Sequence, residues 1–94
     1  MKFLQVEHLG LLSVFEKTGH SKEEFSFIKK SGWVKIYHQD KPWVSFHREQ
    51  GSSLVNGNFV ETVLYSIKTE KGYKRDFDSL ESMLDFLFKF FRDT

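Results

Sequence analysis

The four histidines, His8, His20, His38 and His47, are the side chains most suited to hold a metal ion or to transfer a proton. Zinc takes three or four ligands from His, Cys or carboxylate, but the chain has no cysteine and no His-x-x-x-His or Glu-x-x-His spacing. Strand alternation would put His38 and His47 on one side of a sheet. We interpret them as imidazoles at a sheet margin, and we predict no metal site and no cofactor.

Nucleophilic catalysis is the second chemistry to consider, because the same alternation places Ser45 near two histidines. An activated serine needs an orienting acid and often a Gly-x-Ser-x-Gly elbow, and the sequence has no such elbow. The adjacent carboxylates Glu23 and Glu24 are typical of a helix N-terminus. The six glycines are isolated, so no glycine-rich phosphate loop is present. We therefore predict that the protein is not an enzyme.

Aromatic side chains are the most conspicuous feature, since 11 of 94 residues are phenylalanine and four of these lie in residues 83–91. On a helical wheel the apolar arc of this segment is about 200° wide, more than one sheet face covers. Either the N-terminal segment folds over the surplus rings, or they bind a partner, as aromatic residues do at binding hot spots. The predicted partner-binding residues are Phe86, Phe90, Trp33, Tyr37 and Trp43.

A basic segment offers an alternative function. If helices cover one face of the sheet only, Trp33, Tyr37 and Phe46 could stack on single-stranded nucleic acid beside Lys35 and Arg48. No RNP-like, KH-like or helix-turn-helix signature accompanies this pattern. The basic residues of the alternative are Lys29, Lys30, Lys35, Lys41 and Arg48.

Capping signals predict two helices. The Ser21/Glu24 spacing predicts a short helix near 22–31, with a strand through the sequence FSFIKK as its rival. Asp78 and Glu81 predict a C-terminal helix over 79–92 that packs on the sheet. In residues 1–17 the apolar positions scatter around the wheel and Gly10 interrupts them, which favours a bent strand over a helix.

Alternating β-branched and aromatic residues predict an antiparallel sheet of four or five strands. Two runs flank Asp40-Lys41-Pro42 as a hairpin, residues 51–58 are loop-like with a possible tight turn at Asn56-Gly57, and Phe59–Thr69 is the longest strand. A short strand over Tyr73–Phe77 follows. The predicted core consists of Val34, Ile36, Phe46, Val63, Tyr65 and Ile67 facing Leu80, Leu84, Leu87 and Phe91.

Taken together, residues 1–94 are predicted to form a single small α+β domain. The absence of cysteine, of a signal-peptide pattern and of a long apolar stretch predicts a cytoplasmic protein without a membrane segment. We expect a non-enzymatic protein-interaction domain, of the small accessory, inhibitor or immunity type. Its partner would be another protein or a second copy in a homodimer, and nucleic acid is the less favoured partner.

Overall fold

The computed structural model describes residues 2–93 and has a two-layer α+β fold. A single five-stranded antiparallel sheet holds its strands in chain order, β1-β2-β3-β4-β5. One helix precedes the sheet and another follows it, which confirms the predicted fold class. The elements are α1 (Gln5–Lys17), a 3-10 turn (Lys22–Glu24), β1 (Phe25–Lys30), β2 (Trp33–His38), β3 (Lys41–Val55), β4 (Asn58–Thr69), β5 (Lys74–Phe77) and α2 (Leu80–Arg92).

Both helices pack on the same face of the sheet, because their buried side chains and those of the strands form one apolar cluster. The cross-strand pairs Val34↔Phe46, Ile36↔Val44 and Phe46↔Ile67 place the strand residues of this cluster on a common face. Most of the predicted core is confirmed, with Val63, Leu80 and Leu84 packed at its margin rather than inside. The buried members from the helices are Leu11, Val14, Phe15, Met83, Leu87 and Phe91.

The N-terminal segment is a helix, so the predicted bent strand is wrong. Its buried positions are Glu7, Leu11, Val14 and Phe15, a regular helical stripe that contains an acidic residue. A helical wheel that assigns Glu7 to the solvent-facing side does not show this stripe. In addition, Val6 and Leu9 are apolar residues on the exposed side of the helix. The buried face of α1 therefore contains a charged residue as well as apolar side chains.

Gly10 has a packing role in α1 rather than interrupting the element. A Cβ atom at this position would lie 2.6 Å from Leu84 Cδ1, so the missing side chain lets α2 come close. Small residues at helix crossings shorten the distance between the axes, at the cost of helix propensity. Gly10, which suggested a bend in a strand, instead marks the contact between the two helices.

The predicted short helix near 22–31 is also wrong, since only Lys22–Glu24 forms a helical turn and Phe25–Lys30 is an edge strand. Phe25 and Phe27 alternate toward α1, where both stack with Phe15. Pairing with β2 along the whole of β1 supplies backbone hydrogen bonds that a ten-residue helix would have made internally. Tertiary packing of two phenylalanines outweighs the local capping signal.

The first hairpin turns at Gln39-Asp40, where both residues have positive φ, rather than at Asp40-Lys41-Pro42 as predicted. His38 pairs with Lys41 and Tyr37 with Pro42, but Ile36 pairs with Val44, so Trp43 is the extra residue of a bulge. This bulge exchanges the predicted sides: Phe46 lies under the helices, away from Trp33, Lys35 and Tyr37.

The last helix starts one residue later than predicted, with Ser79 rather than Asp78 as its N-cap.

Candidate functional site

The most prominent surface feature is a hairpin arm, defined here as residues 49–64 at the joined ends of β3 and β4. These strands stay paired out to Val55↔Asn58, whereas the pairing of β2 with β3 stops at Phe46 and that of β5 with β4 stops at Tyr65. The arm is thus a two-stranded ribbon that extends past the helices, and the molecule measures 48 × 27 × 24 Å. Part of the predicted loop, residues 51–55, is strand, and Asn56-Gly57 forms the tight turn with positive φ at both residues.

The tip of the arm exposes apolar side chains on both faces. Leu54 and Phe59 form a cross-strand pair on the face that the helices cover elsewhere, and they are 64% and 81% exposed. Val55 and Val60 are exposed on the opposite face. Between residues 50 and 60 the sequence has no charged residue and no proline, the features that usually protect an exposed strand edge from pairing. The arm is therefore well suited to contact with another polypeptide.

The predicted partner-binding residues on α2 are packed within the chain. Phe86 lies against Phe77, with ring centroids 5.3 Å apart, and Phe90 lies 6.0 Å from Trp43. Both rings are only partly buried. They complete the margin of the core, which was the alternative interpretation of the wide apolar arc.

The three predicted aromatic residues of the first hairpin lie on two different faces. Trp43 faces the helices, where it stacks on Phe91 at 4.5 Å. Trp33 and Tyr37 lie on the opposite face, and Trp33 contacts His47 there at 5.4 Å. The five predicted aromatic residues therefore do not form one surface.

The sheet face opposite the helices, called here the open face, combines aromatic and basic side chains. Lys35, Ser45, Lys68 and Lys74 follow one another in a row of paired positions across β2, β3, β4 and β5. Lys68 and Lys74 are directly opposite each other, an arrangement that is unfavourable without an anion nearby. A groove of ≈ 360 Å³ beside this row is lined by Lys30, Trp33, Lys35 and Lys68, with Glu70 at its edge.

The predicted basic cluster is divided by the observed register. Lys30 and Lys35 belong to the open face, while Lys29 and Lys41 pair with Val34 and His38 on the other side. Arg48 forms an ion pair with Glu7 under the helices and is not part of the open face. Sequence reasoning missed Lys68 and Lys74, although the alternation of Tyr65 and Ile67 toward the core implies that Lys68 points away from it.

A buried polar network joins α1 to the centre of the sheet. Arg48 Nη1 donates to both oxygens of the Glu7 carboxylate at 2.7 Å, and the Tyr65 hydroxyl donates to Glu7 Oε2 at 2.6 Å. The backbone N–H of Leu4 donates to Glu7 Oε1. Burial first, and then the hydrogen bond to Glu7, raise the pKa of Tyr65 well above its ordinary value. The tyrosine therefore stays protonated as the donor, and the network acts as a structural connection.

A second polar group brings together His20, Glu24 and His38 at the end of β2. His38 Nε2 lies 2.9 Å and His20 Nδ1 lies 3.8 Å from Glu24 Oε2. Their nearest ligand atoms all fall within 4.8 Å of one another. The prediction that His38 and His47 lie on one side of the sheet is wrong, because the bulge at Trp43 puts them on opposite faces, and His47 Nδ1 contacts the Gly32 carbonyl on the open face.

Sequence reasoning missed this group because it attributed Glu24 to a helix N-terminus. The available signal was the four-residue spacing of His20 and Glu24. This spacing becomes informative only when the hairpin places His38 next to His20 and Glu24.

In comparisons with known proteins, no family model, no curated protein and no solved structure matches the chain. Within residues 2–93, neither helix combines the length and the apolar content needed to cross a bilayer.

Proposed function

We propose that this protein is a non-enzymatic interaction domain that associates with a second copy of itself through the hairpin arm. The observation that supports this is the exposed apolar tip, where Leu54, Val55, Phe59 and Val60 have no helix over them. A two-stranded ribbon is marginally stable in water by itself, so cover by another chain would stabilise it. A cytoplasmic location remains the prediction for this domain.

A second copy is the occupant we favour because residues 50–60, which form the tip of the arm, carry no charge. A two-fold contact requires that one patch fit its own copy, and an uncharged strand edge pairs antiparallel with the same edge without charge repulsion. The only charged residues of the arm are Glu49 and Glu61, below the tip. Standard interfaces use about 20–30 residues per partner, and the arm with its flanking strand residues approaches that size.

Replacement of Phe59 by lysine is the direct test. We expect wild-type protein to be dimeric and Phe59→Lys to be monomeric in analytical ultracentrifugation over a wide concentration range. Loss of an apolar hot spot costs about 2 kcal/mol, and a two-fold dimer loses it from both subunits, so association should weaken by about 4 kcal/mol or roughly 1,000-fold. Because Phe59 is 81% exposed, the folded subunit should be unaffected.

Leu9→Lys is the matched control, since Leu9 is 57% exposed on α1, away from the arm. It should leave the dimer intact. A wild type that is monomeric at every concentration, or a dimer equally weakened by both substitutions, would refute self-association through the arm.

Nucleic-acid binding on the open face is the second candidate, supported by the row of lysines beside Trp33. Lysine and aromatic side chains on one sheet face are the combination used to bind single strands without sequence preference. The groove carries Lys30, Lys35 and Lys68 against Glu70. The acidic residues Glu49 and Asp76 lie toward the arm end of this face.

Neighbouring lysines provide a sharp test of this candidate. Lys30→Glu should weaken binding of a labelled single-stranded oligonucleotide, measured by fluorescence anisotropy, whereas Lys29→Glu should have little effect, because the two side chains lie on opposite faces. With three phosphate contacts, a plot of the logarithm of the binding constant against the logarithm of the salt concentration should have a slope of about −2. Absence of binding at low salt, or equal effects of both substitutions, would eliminate the open face as a nucleic-acid site.

A further inference from the structure

The side chains of His20, Glu24 and His38 come from three separate segments of the chain. His20 lies between α1 and the 3-10 turn, Glu24 is the last residue of that turn, and His38 is the last residue of β2. A hydrogen bond explains why His38 Nε2 is 2.9 Å from Glu24 Oε2. It does not account for the second imidazole, whose Nδ1 lies 3.8 Å from the same oxygen.

These distances suit a divalent zinc ion. Ligands about 2.0–2.1 Å from a tetrahedral zinc ion are separated from one another by about 3.3 Å. The two contacts to Glu24 are 2.9 and 3.8 Å, and all three ligand atoms lie within 4.8 Å. Small rotations of the side chains are therefore enough to surround an ion. Two imidazoles and one carboxylate form a known zinc ligand set, which leaves the fourth position to water.

The rings are held in place by an aromatic shell. His38 stacks on Trp43 at 4.7 Å with an interplanar angle of 22°, and the His20 ring lies perpendicular to Trp43 at 5.8 Å. Phe25 contacts both imidazoles. Packing of this kind restricts the rotamers of the ligands before an ion arrives, which lowers the cost of ordering them.

Backbone hydrogen bonds fix the segments that carry the three side chains. The N–H of Gln39, next to His38, donates to the Glu24 carbonyl at 2.8 Å, and the N–H of His20 donates to the Phe15 carbonyl at 2.9 Å. The histidine side chains remain 22% exposed and that of Glu24 35% exposed. Solvent can therefore reach the group, as entry of an ion and a water ligand require.

We propose that His20, Glu24 and His38 bind one zinc ion per chain, with water as the fourth ligand. The ion would tie the connection after α1 to the end of β2 and so stabilise the folded chain. Binding to the folded state alone raises the apparent stability in proportion to the logarithm of the free zinc concentration. This site lies on the helix side of the sheet and is independent of the arm and of the open face.

Calorimetric titration of untagged, chelator-treated protein with zinc chloride tests the proposal. We expect one zinc ion per chain and a rise in Tm when zinc is added. Magnesium should not compete, since it prefers an all-oxygen ligand set. The variants His20→Gln, Glu24→Gln and His38→Gln should each bind zinc at least about tenfold more weakly.

His47→Gln is the matched control, because His47 is a partly buried histidine that also makes a hydrogen bond, on the other face of the sheet. It should retain wild-type zinc affinity. The zinc-induced change in Tm, measured against the same variant without zinc, separates loss of the site from loss of stability. A wild type that binds no zinc, or cluster variants that bind as well as His47→Gln, would overturn the proposal.

Discussion

Glu7→Ala is expected to destabilise the folded protein by about 3–5 kcal/mol, because it removes the carboxylate that balances a buried guanidinium. Glu7 is fully buried and the Arg48 side chain is 9% exposed, so water cannot replace the lost carboxylate without local opening. Tyr65 loses the acceptor of its hydroxyl in the same variant. The free energy of unfolding from urea titration, at a fixed protein concentration, measures the effect.

Two further variants separate charge from packing. Glu16→Ala removes an exposed glutamate from the same helix and should change stability by no more than about 0.5 kcal/mol. Replacing both partners, as in Glu7→Leu with Arg48→Met, should recover much of the loss, because apolar pairs of similar volume often match a buried ion pair. A cost for Glu7→Ala no larger than that for Glu16→Ala would show that the network does not hold α1 on the sheet.

This ion pair also shows why the N-terminal helix could not be predicted from apolar periodicity. The stripe that faces the sheet begins with Glu7, whose partners Arg48 and Tyr65 are 41 and 58 residues away in the chain. Local sequence contains no sign of those partners. By contrast, the last helix and strands β2 and β4 were predictable, because their apolar positions follow the period of the element without a buried charge.

The candidate sites depended on register, which a local pattern does not fix. One bulge residue, Trp43, moves Phe46 under the helices and separates His38 from His47. A shift of one residue moves every side chain of a strand to the opposite face. The predicted stacking surface therefore loses Phe46, and the two histidines no longer share a face. Leu54, Val55, Phe59 and Val60 are exposed together on the hairpin arm, a segment that its glycine, serine and asparagine residues made resemble a loop.

Phe15→Ala is expected to cost about 3–5 kcal/mol, the range for removing a fully buried phenylalanine ring from a core. The ring is completely buried and lies parallel to Phe25 with centroids 3.5 Å apart, while Phe91 of α2 approaches it at 5.1 Å. It therefore joins α1 to both β1 and α2. Urea unfolding gives the cost, and near-ultraviolet circular dichroism reports the loss of aromatic packing.

Phe88→Ala is the informative comparison, since it deletes the same atoms from a ring that is only partly buried. Its cost should be clearly smaller, because less apolar area returns to water and the cavity opens toward solvent. Phe15 also precedes the His20 segment and contacts Phe25, which packs on both candidate zinc ligands. Zinc affinity should accordingly fall in Phe15→Ala and stay unchanged in Phe88→Ala. Equal stability losses for the two variants would contradict the view that the buried Phe15 ring is a main contact between α1 and the rest of the fold.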